Sequence, residues 1–264
     1  MQLGETLALG SRSTIHTWGN DSVAKVPLPS TPEGWIEFEA RYALAVRATG
    51  APVPELRGIE TIGGRAVSIF ARARGPSMWT HLVARPGDVD AMARTLAELQ
   101  CDLHTVAGPV ELPRLVDRLA CKLRSARARY PDEVPSGVVD AVPTVDAHRL
   151  CHGDLHPGNV ILTDSGPIIV DWFDVTRGEP LADIARSMLL MAPDPLGAAP
   201  THLPGATSNL LTRLGDAYRT TIEERSTPDP AALEQWLAIM AVARVAEGVP
   251  SAGLLARWHR WADD

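Results

Sequence analysis

The chain reads as an α+β protein, with a five-stranded antiparallel sheet and one helix first and a mainly helical part after it. Three observations say so. Up to about residue 72, short β-branched or apolar runs alternate with Gly, Asn and Ser turn clusters. Between residues 31 and 47 the apolar spacing becomes helical. From residue 89 onward it is helical again, except for a stretch near 150–170 that returns to short strands.

In chain order, residues 3–9, 14–18 and 23–26 form three antiparallel strands, separated by Gly10-Ser11-Arg12-Ser13 and by the hairpin turn Gly19-Asn20-Asp21. A helix over 31–47 carries Trp35, Phe38, Tyr42, Leu44 and Val46; Ser30 or Thr31 opens it, with Pro32 in the first turn, and Thr49-Gly50 ends it. Strands over 56–62 and 66–72 turn at Gly63-Gly64 and complete the sheet. Residues 71–76 break the pattern, which sets a domain boundary near residue 75, giving parts 1–75 and 76–264. Helices then cover 89–105 and 112–130, the second with a basic, solvated face of Arg118, Lys122, Arg124, Arg127 and Arg129. Leu150 and Cys151 form a buried strand, and 160–162 with 168–170 form a hairpin around Asp164-Ser165-Gly166-Pro167. A helix over 181–191, a Pro-rich loop over 193–204 and three helical stretches ending at Trp261 complete the chain.

Composition narrows the class. A hydrophobic fraction of 45% with 22% charged residues is ordinary for a globular protein. The net charge of -7 argues against a general binder of nucleic acid or anionic membrane. No apolar run approaches the roughly 20 residues a membrane span requires, and the polar start lacks a signal peptide's regions, so the expected address is cytoplasmic. Cys101, Cys121 and Cys151, an odd number at wide spacings, read as reduced and mostly packed thiols. Oligomeric state is not legible.

The stretch from 150 to 174, LCHGDLHPGNVILTDSGPIIVDWFD, concentrates the chemistry. Its hairpin folds the chain back so that Asp171, just past the second strand, returns toward the loop that carries Asp154 and Asn159. The order H-x-D-x-x-x-x-N followed by a strand-borne Asp is the catalytic-loop order of protein kinases. As written here, His152-Gly153-Asp154-Leu155-His156-Pro157-Gly158-Asn159 with Asp171-Trp172-Phe173-Asp174, it resembles the aminoglycoside phosphotransferase family of small-molecule kinases.

That resemblance implies a bilobal, protein-kinase-like fold, with ATP or GTP and Mg²⁺ as cofactors and a hydroxyl-bearing small molecule as acceptor. It makes Asp154 the group that orients the acceptor hydroxyl and takes its proton, and Asn159 and Asp171 the metal ligands. Lys25, in the third strand, becomes the lysine on the α- and β-phosphates. Glu39 is its expected partner and Glu37 the alternative. His156 either meets the γ-phosphate or braces the loop; His152 is structural, His104 packs, and Asp183 caps or braces the catalytic loop. Backbone at Arg72 and Ala73 takes the purine edge. Ser11 lies in the turn that would cover the phosphates, although that turn holds only Gly10 where protein kinases have several glycines. Gly153 stands where protein kinases have an arginine, and the chain leaves no room for an activation loop after Asp171.

The acceptor reading rests on charge. Residues 171–264 hold 13 acidic and 8 basic side chains, five of the seven excess negative charges. Asp174, Glu179 and Glu247 are the carboxylates expected nearest the acceptor, which points to an aminoglycoside or amino sugar. Two other classes compete. One is a nucleotide-binding pseudokinase that acts as a scaffold or regulator, and the other is a metal hydrolase built on His152, Asp154 and His156, which leaves Lys25, Glu39 and Asn159 idle.

Overall fold

The computed structural model describes residues 2–32, 34–144, 146–193, 202–248 and 251–263. The expected 193–204 loop lies mostly outside them. The strands are β1 (Thr6–Leu9), β2 (Ser13–Trp18) and β3 (Ser22–Pro27), then β4 (Leu56–Ile62) and β5 (Arg65–Ala71), with helix α1 (Trp35–Ala48) between β3 and β4. Helices α2 (Met78–Ala84), α3 (Val89–Thr105) and α4 (Leu115–Arg129) follow. The short strands are β6 (Arg149–Cys151), β7 (Val160–Thr163), β8 (Gly166–Ile169) and β9 (Thr176–Gly178). The chain closes with α5 (Pro180–Met191), α6 (Ser208–Ser226), α7 (Pro230–Val245) and α8 (Ser251–Asp263). Among the described residues no helix is long and apolar enough to cross a membrane.

The chain divides into two compact units. The first comprises Met1–Met78 and Gly158–Phe173, and the second Trp79–Pro157 and Asp174–Asp264.

In the first unit the five strands are antiparallel in the order β1-β2-β3-β5-β4. Gly19, at φ 63, lets the β2–β3 turn close, and the two strands pair from Ser13↔Pro27 to Trp18↔Ser22. Trp18, Ala24, Val67 and Ile69 form the apolar core of the sheet. Strand alternation points Lys25 to the face opposite Ala24, with Ile15 and Ser68 as its cross-strand neighbours.

Helix α1 begins later than its capping signals suggest. Thr31 is committed elsewhere: its N–H donates to the Leu28 carbonyl at 2.9 Å and its hydroxyl to the Arg12 carbonyl at 2.5 Å. The helix starts at Trp35, after Gly34 in a left-handed conformation. Its buried face is Ile36, Glu39, Ala40, Tyr42, Ala43 and Val46. Phe38 and Leu44, which the sequence counts as apolar spacing, are exposed.

The β7–β8 hairpin also belongs to this unit. Leu162 N–H donates to the Pro76 carbonyl at 2.9 Å, and Ser77 bridges Ile161. Gly75 is required for that approach, since a Cβ there would lie 1.8 Å from the Leu162 carbonyl oxygen.

In the second unit α3 packs on α6, and α7 on α5 and α8. Helix α4 buries Leu115, Leu119, Leu123 and Ala126 along one face. Two elements escape sequence reading, α2 and β9. The latter is Thr-Arg-Gly, without an apolar run, and is a strand only because β6 pairs with it from Arg149↔Gly178 to Cys151↔Thr176.

Candidate active site

In the first unit the chemistry gathers on Lys25. Its ammonium donates to the Glu39 carboxylate and, at 2.8 Å, to Asp171 Oδ1. Glu39 lies on the buried face of α1, whereas Glu37 is exposed. Burial works against the ammonium charge, but Asp171 and Glu39 together hold Lys25 above its ordinary range. Glu39 is itself pushed up, mainly by burial, against the pull of Lys25 and with a further push from Asp171. One cation thus serves two carboxylates.

Asp171 sits at φ 63, a left-handed conformation that non-glycine residues adopt rarely and aspartate more readily than most. The hairpin accounts for its place: Val160 pairs with Ile169, and Val170 N–H donates to the Asn159 carbonyl at 2.9 Å. Asn159 and Asp171 therefore flank the open end of one hairpin. Asn159 is buried, while the Asp171 side chain is 48% exposed and so reachable by a ligand.

An aromatic clasp the sequence did not announce borders this group. Trp35 stacks on Phe173 with ring centroids 3.4 Å apart, and the Arg12 guanidinium lies 4.7 Å from the Trp35 ring and 5.5 Å from Phe173. It ties the β1–β2 turn to the start of α1 and to the segment just past Asp171. Ser11, next to Arg12, is exposed at the tip of that turn. In the 71–76 segment, Arg72 N–H donates to the Asp21 carbonyl at 3.0 Å. Ala73 enters none of the turn and loop backbone hydrogen bonds among the described residues.

In the second unit the loop that carries Asp154 is anchored from below. Asp183, buried on α5, accepts from Gly153 N–H at 2.7 Å, His152 N–H at 3.2 Å, Gln100 Nε2 at 2.9 Å and His104 Nε2 at 3.0 Å. Tyr218 in turn donates to Gln100. Burial pushes the Asp183 carboxyl up, but the hydrogen bonds and charge it receives from His104, Gln100 and Gly153 leave it below its ordinary value. His104, read from the sequence as packing, is thus a polar member of the brace. His104, Cys151 and Asp183 also place ligand atoms within 4.8 Å of one another, but four donors already occupy the carboxylate, as a brace requires and a metal site would not. Gly153, at φ 78, is fixed sterically, because a Cβ would lie 2.3 Å from the Asp174 carbonyl oxygen.

Arg186 is a buried partner of Asp154 that the sequence reading missed. It is 5% exposed, and its guanidinium donates to the Gly153 carbonyl at 3.2 Å, Asp154 Oδ1 at 3.3 Å and Glu247 Oε2 at 2.8 Å. The only signal was an arginine inside the apolar run of α5. Burial disfavours its charge, but Glu247 and Asp154 hold it fully cationic. From Glu247 the ion pairs continue to Lys122 at 2.9 Å, then to Asp174 at 3.5 Å, which Arg118 also approaches at 3.5 Å. Part of the basic face of α4 is therefore turned to carboxylates rather than to solvent. Arg244 stands 3.9 Å from Glu247 and is held down to about 10 by burial and by the Arg186 charge.

Of the three carboxylates expected at the acceptor, this network takes up Asp174 and Glu247. Glu179 is elsewhere employed, as the N-cap of α5, accepting from Leu181 N–H at 3.3 Å.

His156 is buried, 4.7 Å from the His202 ring and 3.8 Å from Asp154. Burial first, then His202, His152 and the nearby arginines, hold it well below the usual histidine range, so it is neutral near pH 7 and its approach to Asp154 is not an ion pair. Burial likewise takes His202 down to about 4. A histidine depressed in the folded state loses out as the unfolded chain takes up its proton. Stability should therefore begin to fall as pH drops below about 6.5 and continue to fall to about 4. Urea midpoints measured at intervals from pH 7.5 to 4 check this, and His202→Gln should flatten the decline; an unchanged decline in that variant refutes the assignment.

The model of the phosphotransferase enzyme family matches residues 10–236. No curated protein sequence matches the chain. Among solved structures, aminoglycoside-3'-phosphotransferase of type VIII is similar at 17% identity and a TM-score of 0.64, over 92% of this chain and 91% of that one. The GDP and kanamycin complex of APH(2")-IIia is similar at 19% identity and 0.62, over 98% and 89%. A choline/ethanolamine kinase family protein from Mesorhizobium loti is similar at 17% and 0.57, over 100% and 89%. At these identities the structures establish the fold, and the family match over most of the chain establishes kinship. The chain belongs to the phosphotransferase enzyme family.

Proposed function

We propose that this protein transfers the γ-phosphate of ATP or GTP, bound with Mg²⁺, to a hydroxyl of a small molecule. The observation that carries the reading is the ion pairing of Lys25 with both Glu39 and Asp171, residues 14 and 146 positions away in sequence. Glu39 fixes the ammonium in place, and Lys25 meets the α- and β-phosphates. Asn159 and Asp171 offer the oxygen donors a hard cation prefers, and the exposed Asp171 carboxylate leaves room for one. When bound, Mg²⁺ supplies charge neutralisation on the phosphates. Backbone at Arg72 and Ala73 receives the purine edge, with the Ala73 groups the more available of the two, and Ser11 faces the phosphates. Either purine suits a backbone contact, and solved relatives include complexes with GDP and with ATP.

Asp154 orients the acceptor hydroxyl and takes its proton as the new P–O bond forms. Arg186 donates to one oxygen of that carboxylate and so fixes its position on the loop. His156, neutral and buried, braces the loop. An amine-bearing acceptor is one form of this reaction, and solved relatives include complexes with kanamycin and with streptomycin. Asp174 and Glu247 would serve it by exchanging Lys122, Arg118 or Arg186 for the incoming ammonium.

The test is a nucleotide titration with and without Mg²⁺. Wild type should bind Mg-nucleotide more tightly than free nucleotide, and Asp171→Ala should lose that difference along with turnover. A metal dependence that survives in Asp171→Ala would overturn the ligand assignment.

A further inference from the structure

We infer that Trp35, Phe173 and Arg12 are positioning residues for the nucleotide site: their stack holds the first turn of α1 against the segment that carries Asp171, and so keeps Glu39 and Asp171 at a spacing one ammonium can bridge. This rests on the kinase reading above. All three lie in the first unit, as do Lys25, Glu39 and Asp171.

The need for such a tie follows from charge. Glu39 arrives on α1 and Asp171 just past the β7–β8 hairpin, and Lys25 bridges them from β3. Two carboxylates that close repel, and the shared ammonium offsets the repulsion. A bound Mg-nucleotide draws on both ends of the Lys25–Asp171 pair, Lys25 for its phosphates and Asp171 for its cation, so that pair cannot also serve as the mechanical link. The stack can, because it involves no group that the nucleotide or the cation uses.

Helix α1 packs on β4 and β5, but it opens after Gly34 without a side-chain cap. Trp35 is its first residue and lies one turn before Glu39 on the same side of the helix, so a shift of the ring moves the carboxylate with it. On the other side of the contact, Phe173 is two residues past Asp171, and the two rings stack with centroids 3.4 Å apart and planes at 27°. Arg12 adds a cation to both rings, 4.7 Å from Trp35 and 5.5 Å from Phe173. Its base is fixed. The Arg12 carbonyl accepts from Leu28 N–H at 2.8 Å and from the Thr31 hydroxyl at 2.5 Å, and Arg65 of β5 donates to the Thr31 carbonyl at 3.0 Å. The clasp is thereby anchored to the sheet that carries Lys25.

The experiment reads amide hydrogen exchange along α1 in the ligand-free protein and, by calorimetry, the affinity for Mg-ATP and Mg-GTP. Trp35→Ala should speed exchange in α1 about tenfold and weaken Mg-nucleotide binding about tenfold. Exchange in β2, β3 and β5 should stay as in wild type, which also shows that the variant folds. Arg12→Ala should weaken binding about threefold, while Trp35→Phe and Arg12→Lys, which keep a ring and a cation, should stay within about twofold of wild type. In a Glu39→Gln background α1 has no carboxylate to deliver, so adding Trp35→Ala should cost less than about twofold more. Should Trp35→Ala not fold, Phe173→Leu takes its place in the same cycle. Wild-type affinity in the ring-deleted variant, or an equal loss from it in both backgrounds, overturns the inference and leaves the kinase reading standing. No binding of Mg-nucleotide by wild type, or wild-type binding in both Glu39→Gln and Asp171→Ala, overturns the kinase reading and the inference with it.

Discussion

Asp154→Asn is expected to lower kcat by about 10²–10⁴-fold, the range associated with loss of a positioned general base, while Mg-nucleotide affinity stays essentially unchanged. The amide is isosteric and can still accept from Arg186, so the loop keeps its shape; what it loses is the capacity to take a proton from the acceptor. Nucleotide binding should be spared because Lys25, Glu39, Asn159 and Asp171 all belong to the first unit and Asp154 to the second. Steady-state kinetics paired with calorimetric nucleotide titration make the comparison. Turnover at the wild-type level would end the mechanism, and a parallel loss of nucleotide affinity would mean that Asp154 serves the metal instead.

Asp183→Ala is expected to cost about 3–5 kcal/mol of stability, as breaking one side of a buried charged network does. It leaves the His152 and Gly153 N–H groups, the Gln100 amide and His104 without their acceptor in a site closed to water. For a chain of this size each kcal/mol moves Tm by roughly 2–4 °C, so a fall of roughly 6–20 °C is anticipated in a calorimetric scan. The same carboxyl is depressed in the folded state, so its contribution is present above about pH 4 and is lost as pH falls below the ordinary carboxylate value. The destabilisation of the variant should accordingly shrink in acid. A Tm within 2–3 °C of wild type, against the roughly 6 °C lower bound, would show that water or a rearranged loop satisfies those donors.

The two predictions touch residues that were unequally legible. Asp154 stands in a motif whose spacing is local, so eight consecutive residues and the hairpin after them are enough to single it out as a candidate. Asp183 could be expected to brace the loop, but its partners Gln100 and His104 arrive from α3, some 80 residues before it in sequence, and Tyr218, which donates to Gln100, arrives from α6, 35 after it. Arg186 was missed for a similar reason. Inside an apolar helix an arginine has a partner or a cost, but sequence alone does not say that the partners are Asp154 and Glu247, 32 and 61 positions away.

By itself the sequence determined the elements with a period or a turn to mark them: the five-stranded sheet, α1 apart from its first turn, α3, the β7–β8 hairpin, and the residue types at Lys25, Asp154, Asn159 and Asp171. Those are local choices, set by alternation, helical spacing and the glycines that turns demand. Only the tertiary structure decided that Glu39 rather than Glu37 meets Lys25, since two positions on a helix differ by about 200° around its axis and burial selects one face. Only it could make a strand of Thr176–Gly178, whose hydrogen bonds come from β6, or bring the hairpin of residues 160–169 against the segment of residues 75–77. The electrostatics divide in the same way. Counting residues gives an acidic C-terminal third, but charges act over ångströms of space rather than along the chain, and folding sets Arg118, Lys122 and Arg186 against the carboxylates that the count had left unopposed.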